Sequence, residues 1–256
     1  MMALLRRASW CYVLVAVLLA GPAKADPPAR SCEVPAYLLT TESKLPKVEA
    51  AAKPGGRLNI LVIGSRSSVI GLSDRSAAYP SRLQAYLTDK LPGIAVNVVL
   101  ELEVKKTADD MVPALEQLVA DRKPDLVIWQ TGTVDALRQV DDDDFRNALD
   151  KGVAAMQKAG TDVILMNLQY SPRMETMISG SAYLDNMRVV AQQHDIPLFD
   201  RFAIMRQWSE SGEFDLFRPA PGADLAKRVH DCLGQALSVF VLGAAHIPAV
   251  DVRIQH

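Results

Sequence analysis

Few side chains here titrate near neutrality or bind soft metals: the 256 residues include four histidines and three cysteines. No Cys/His spacing resembles a metal site, so neither a metal nor a cofactor is expected. Charge of one sign is also missing. Lys and Arg number 28 against 30 Asp and Glu, a formal net charge of −2. Nothing in that total suggests nucleic acid or an anionic membrane surface as a partner. Beyond residue 20 no apolar run is long enough to cross a bilayer, and there is no internal repeat or low-complexity tract.

What is present begins with an export pattern. Arg6 and Arg7 precede the apolar run Trp10 to Ala20, and Ala23-Lys24-Ala25 follows as a small-x-small site. That is the order of a signal peptide, with cleavage expected after Ala25 and the product in the periplasm or outside the cell. A membrane anchor is the alternative, but the run is short for about 30 Å of hydrocarbon. The expected organisation is a signal peptide (1–25), a lead-in segment (26–56) tied down at Cys32, and one domain (57–256). Cleavage removes Cys11 and leaves Cys32 and Cys232. In an oxidising compartment these two are expected to bridge, the alternative being two buried thiols.

From Asn59 onward short apolar runs alternate with helical periodicity. Strands are predicted at 59–63, 94–100, 126–129, 163–167 and 196–199, and continuous apolar runs suit strands buried on both faces. Leu83, Leu87 and Leu91 mark one helix, and Leu225, Val229, Leu233, Leu237 and Val241 mark the last. Pro113 fits a first helical turn if Asp109 or Asp110 is the N-cap. The acidic run Asp141 to Asp144 reads as a solvated helix start, where carboxylates favour the positive end of the dipole. Alternating strands and helices predict a parallel, doubly wound sheet, with ligands outside the carboxyl ends of its strands.

The strand-end turns carry the informative residues. Gly64-Ser65-Arg66-Ser67-Ser68 follows strand one, Ala78-Tyr79-Pro80 opens the next helix, and Gly132-Thr133-Val134-Asp135 follows strand three. From about Leu58 to Val241 the chain resembles the SGNH (GDSL-type) hydrolases, particularly exported bacterial members. The resemblance implies a flavodoxin-like three-layer α/β/α sandwich with a five-stranded parallel sheet. It also implies esterase, lipase or carbohydrate deacetylase chemistry: a Ser nucleophile two residues after the first Gly, Gly and Asn oxyanion donors, and an Asp-x-x-His pair near the C-terminus.

Position by position, the working residues differ. The nucleophile position falls on Arg66, the second-block glycine near Val104 and Lys105, and the Asn on Val134. With Asp215 as the Asp of the last block, its His falls on Arg218. Arginine is neither a nucleophile nor a base at pH 7, and valine donates nothing to an oxyanion. Were activity retained, Ser65 or Ser67 with His230 and Asp215 would have to supply it. His230, however, reads as an ordinary residue on the face of the last helix.

Arg66, Lys105, Lys106, Arg173 and Arg218 also collect at these turns. With Gly64, Gly132, Thr133 and Asp135 they outline a crevice for a small-molecule or glycan ligand, an anionic one suiting the guanidinium groups. Two functions remain open: a degenerate member that binds, or an esterase acting on O-acetyl groups with displaced Ser and His.

Overall fold

The computed structural model describes residues 32–178, 180–217 and 223–248. The signal-peptide pattern and Arg218 lie outside them. Five strands form one sheet: β1 (Arg57–Gly64), β2 (Ala95–Leu102), β3 (Leu126–Gln130), β4 (Asp162–Met166) and β5 (Leu198–Phe199). The order is β2-β1-β3-β4-β5 and every pairing is parallel, so the expected sheet is present with bounds shifted by a few residues.

The helices, in chain order, are α1 (Pro46–Ala51), α2 (Tyr79–Lys90), α3 (Ala108–Arg122), α4 (Thr133–Arg138) and α5 (Asp142–Lys158). They continue with α6 (Pro172–Met177), α7 (Ser181–Gln193), α8 (Arg201–Glu210) and α9 (Ala223–Ala244). Because successive strand side chains point to opposite faces, the sheet feeds two cores. Leu58, Ile60, Val62, Ile128 and Ile164 pack with α1, α2, α8 and α9. Leu61, Ile63, Val127, Trp129 and Leu165 pack with α3, α5 and α7. Gly152 stands mid-helix in α5, at a cost of about 1 kcal/mol relative to Ala. A Cβ there would lie 2.5 Å from the Trp129 ring, so the glycine is what leaves room for that ring beneath the helix.

Two expectations need correction. Pro113 is not in a first turn, because α3 begins earlier: Thr107 is the N-cap, and its hydroxyl accepts from the Asp110 N–H while the Asp110 carboxylate accepts from the Thr107 N–H. This capping box places Pro113 inside the helix. Residues 32–56 are held by far more than Cys32. Leu45 and Val48 are fully buried, and Trp208 Nε1 donates to the Glu33 carbonyl at 2.9 Å. The acidic run does start α5, with the Asp141 carboxylate accepting from the Asp143 and Asp144 N–H groups.

α1 has no side-chain cap of its own. Instead Asp162, at the start of β4, accepts from the Lys47 and Val48 N–H groups at 2.8 and 3.0 Å. Burial raises the Asp162 pKa against the pull of these two donors. Asp162→Ala strands both donors and is expected to cost about 1 to 2 kcal/mol, the range for a lost N-cap. Urea unfolding measures the cost, and hydrogen exchange should show faster opening of residues 46–51 specifically. Unchanged exchange there would show that the cap does not hold the helix.

Candidate functional site

The strand order reverses between β1 and β3, and the crevice of a doubly wound sheet opens beyond such a switch point. A cavity of about 690 Å³ lies there. Ser65, Arg66 and Ser67 enter it from the turn after β1, Thr133 and Val134 from the start of α4, Gln169 and Tyr170 from the turn after β4, and Arg173 from the start of α6. A second cavity of about 350 Å³ shares Ser67, Ile70, Gln169, Met205 and Leu216 with the first.

Beneath the β1 turn lies a hydrogen-bonded cluster centred on Gln130, the last residue of β3. Ser68 Oγ and Tyr79 OH both donate to its Oε1, at 2.7 and 3.0 Å. That fixes the amide orientation, so Nε2 donates to Ser67 Oγ at 2.8 Å and to Ser65 Oγ at 3.1 Å. The two serine oxygens are 3.1 Å apart. Their own protons are the donors left over: one can join the serines, which leaves the other for a further acceptor. Arg201, the first residue of α8, places Nη1 3.4 Å from Ser67 Oγ.

His230 is 3% exposed and lies on the wall of the smaller cavity. Its Nδ1 accepts the Tyr79 N–H at 3.2 Å, and its Nε2 lies 3.1 Å from the Ile70 carbonyl. An amide donor on one nitrogen and a carbonyl acceptor at the other select the neutral tautomer with the proton on Nε2. Burial lowers the His230 pKa to about 4, with the Arg201 charge adding to the effect. The ring stacks on Tyr79 with centroids 6.2 Å apart. The structure therefore does not bring His230 into hydrogen bonding with Ser65 or Ser67. Asp215 Oδ1 accepts from the Phe217 N–H at 3.3 Å.

Of the residues expected to contact a ligand, Arg66, Lys105, Thr133 and Arg173 line the larger cavity. Three do not. Gly64 is the last residue of β1, paired with Leu102 inside the sheet. Gly132 has φ +91° with Leu168 2.7 Å from where a Cβ would sit, so it serves the turn. Asp135 is buried, its Oδ1 accepting the Ala108 N–H at 2.8 Å, and desolvation raises its pKa. It ties α4 to the start of α3. Lys106 is drawn away into an ion pair with Glu103. Arg138 lines the cavity as well and pairs with Asp110 at 3.3 Å.

The apolar share of the cavity was not foreseen. Val134, Met174, Met205 and Leu216 form walls, and Ile70, Val104, Leu137, Met177 and Phe217 form an exposed apolar rim, Phe217 being 72% exposed. Sequence reading also passed over Gln130, Tyr79 and Arg201. A signal existed for each: Gln130 ends an apolar run, Tyr79 stands in the quoted Ala-Tyr-Pro, and Asp200-Arg201 directly follows β5. Among the described residues no group of three or more His, Cys, Asp or Glu side chains is arranged to hold a metal ion. Nor is any helix among them long and apolar enough to cross a membrane.

The architecture is shared with solved structures. A putative lipolytic protein of the G-D-S-L family from Desulfitobacterium hafniense is similar at TM-score 0.55 and 17% identity, over 71% of this chain and 98% of that one. A lipase/acylhydrolase from Enterococcus faecalis is similar at TM-score 0.58 and 17% identity, over 76% of this chain and all of that one. An acetyl-xylooligosaccharide esterase variant from Geobacillus is similar at TM-score 0.58 and 19% identity, over 79% of this chain and all of that one. At these identities the likeness establishes the fold. A search of curated proteins returned no match. The sequence from residue 31 to 247 matches the non-GDSL lipase-like family, and the chain belongs to that family.

Proposed function

We propose that this chain is an exported hydrolase-like protein that binds an anionic or carbohydrate ligand in the strand-end crevice rather than cleaving an ester. The observation that carries the reading is the engagement of His230, whose ring nitrogens both face backbone groups of Tyr79 and Ile70. A serine hydroxyl needs a base to become a nucleophile, and Ser65 and Ser67 hydrogen-bond to Gln130 and to each other instead. Arg66 and Val134, at the positions where the resemblance puts nucleophile and oxyanion donor, line the cavity and can supply neither role.

The lining favours an anionic ligand with an apolar body over an unmodified glycan. Thioether and branched side chains offer contact area but few hydrogen bonds, while Arg66, Lys105 and Arg173 supply cations around it. Structural relatives named as a lipase/acylhydrolase and an acetyl-xylooligosaccharide esterase support an acyl or acylated ligand. The competing reading is an active esterase built on Ser67, whose Oγ receives donors from Gln130 and Arg201.

Hydrolysis of p-nitrophenyl acetate by the purified protein and its Ser65→Ala, Ser67→Ala and His230→Gln variants separates the two. Removing a member of a working triad lowers the rate by several powers of ten. The expected result is a wild-type rate that none of the three changes lowers, with Arg66→Ser silent as well. Only Arg66→Ser combined with Val134→Asn and Arg218→His is expected to gain turnover. If wild type hydrolyses the ester and Ser67→Ala or His230→Gln abolishes it in a folded protein, the chain is an esterase and the binding reading fails.

A further inference from the structure

Arg201 is 1% exposed, and among the described residues its one side-chain hydrogen bond is the long one from Nη1 to Ser67. Among the described residues Nε and Nη2 have no hydrogen-bond partner. The neighbouring carboxylate does not serve it: Asp200 caps α8 through the Ala203 N–H, accepts from Asn167 and pairs with Arg188. A buried guanidinium without a carboxylate costs folding free energy, and orphaned buried donors in native structures call for a reason. Desolvation lowers the Arg201 pKa only to about 10, so it is charged at neutral pH.

The geometry of the orphaned pair is specific. Nε–H and one Nη2–H lie along a single edge of the guanidinium plane, the edge that grips a carboxylate or phosphate through two parallel hydrogen bonds. Position also points to the crevice. Nη1 meets Ser67, and Met205 follows Arg201 one turn later on the same face of α8. Ser67 and Met205 both line both cavities, so the guanidinium lies next to residues of their shared wall. Met205 is unbranched and flexible, a wall that a ligand can displace at low cost. The exposed cations at the crevice lack this combination of burial and unused donors.

We propose that Arg201 is the anchor for an acidic head group, a carboxylate or phosphate monoester bound along its Nε–Nη2 edge, with the ligand's apolar body lying against Met174, Met205 and Leu216. This rests on the reading of the crevice as a ligand site and adds the residue that selects the ligand's charge. It predicts discrimination by charge at equal chain length.

Isothermal titration of the full disulfide-bonded chain with decanoate, decyl phosphate and decanol tests it, using wild type, Arg201→Met and Arg201→Lys. Two charge-assisted hydrogen bonds correspond to a loss of about 10- to 100-fold in affinity for an acidic ligand in Arg201→Met. Arg201→Lys keeps the charge but lacks the planar edge and is expected to fall between. Decanol binding should stay within about twofold across all three proteins, since its hydroxyl needs no cation. Decanoate and decyl phosphate distinguish the two head groups, and preference for either supports the anchor. A readout independent of substitution is the Arg201 Nε–H resonance of wild type, expected to move downfield with the acidic ligand and to stay in place with decanol. If decanoate and decanol both bind but Arg201→Met leaves decanoate unchanged, or if the Nε–H resonance does not respond to bound decanoate, Arg201 is not the anchor and the crevice reading stands. If wild type binds none of the three, the apolar crevice and its anchor fall together.

Discussion

Reduction of the Cys32–Cys232 bridge is expected to lower the melting temperature by about 10 to 20 °C, the largest single effect on stability in this chain. The two Cα atoms are 5.2 Å apart across a sequence separation of 200. Closing a loop of that length removes entropy from the unfolded chain worth about 5 kcal/mol in the chain-entropy treatment. At about 2 to 4 °C per kcal/mol for a domain of this size, that gives the range stated. The bridge also has a local task, fastening the start of the described chain to α9, whose far end is held separately by the Leu45 N–H donating to the Ala244 carbonyl at 3.1 Å. Calorimetry of the oxidised protein against the Cys32→Ser variant measures the effect. A shift of only a degree or two would mean that the other contacts of residues 33–51 already restrain both states equally.

Acidification is expected to destabilise the fold by on the order of 3 kcal/mol between about pH 6.5 and pH 4, through His230 alone. The folded protein holds this imidazole neutral down to a pKa of about 4, mainly because burial disfavours the charged form. The unfolded chain protonates it near pH 6.5, about the ordinary value. Between those limits the unfolded state binds the extra proton, so stability is full above the upper limit and falls as pH drops toward the lower one. Asp135 and Asp162 act in the opposite sense, because burial raises their pKa values and folding then favours the protonated carboxyls. The His230 contribution is isolated by comparing urea midpoints of wild type and His230→Gln across this range. A glutamine amide can donate to Ile70 and accept from Tyr79 without titrating. Parallel pH profiles for the two proteins would show that the imidazole is not the acid-labile group.

Much of the architecture was legible because period and punctuation are local properties. The five apolar runs became the five strands, and the four-residue spacing from Leu225 to Val241 became the buried side of α9. α4, α6 and α8 were passed over. The first two have six residues each, too short for a 3.6-residue period to stand out. α8 carries Ile204, Met205 and Trp208 on its buried side but follows a strand of two residues, which leaves little to mark its start. The helix start at Thr107 has its own local signal, since Thr107-x-x-Asp110 spells a capping box, but the aspartates beside Pro113 offer a competing N-cap.

The site divides along the same line. The family resemblance, the parallel sheet, the crevice at the carboxyl ends of its strands and the expectation of Arg66 at the nucleophile position were all legible in the sequence. Those follow from residue identity at fixed offsets from strands. That Asp135 holds the start of α3 emerges only from the fold, because its partner, the Ala108 N–H, lies 27 residues away in sequence. Likewise, nothing local to His230 says that Ile70 and Tyr79 occupy its nitrogens, since those contacts span 160 and 151 residues. Arg201 is the clearest case. On its own helix it reads as a first-turn arginine beside an acid. Folding turns Asp200 toward Asn167 and Arg188, carries Arg201 inward behind Ser67, and leaves a buried charge whose free edge depends on which groups the fold sets beside it.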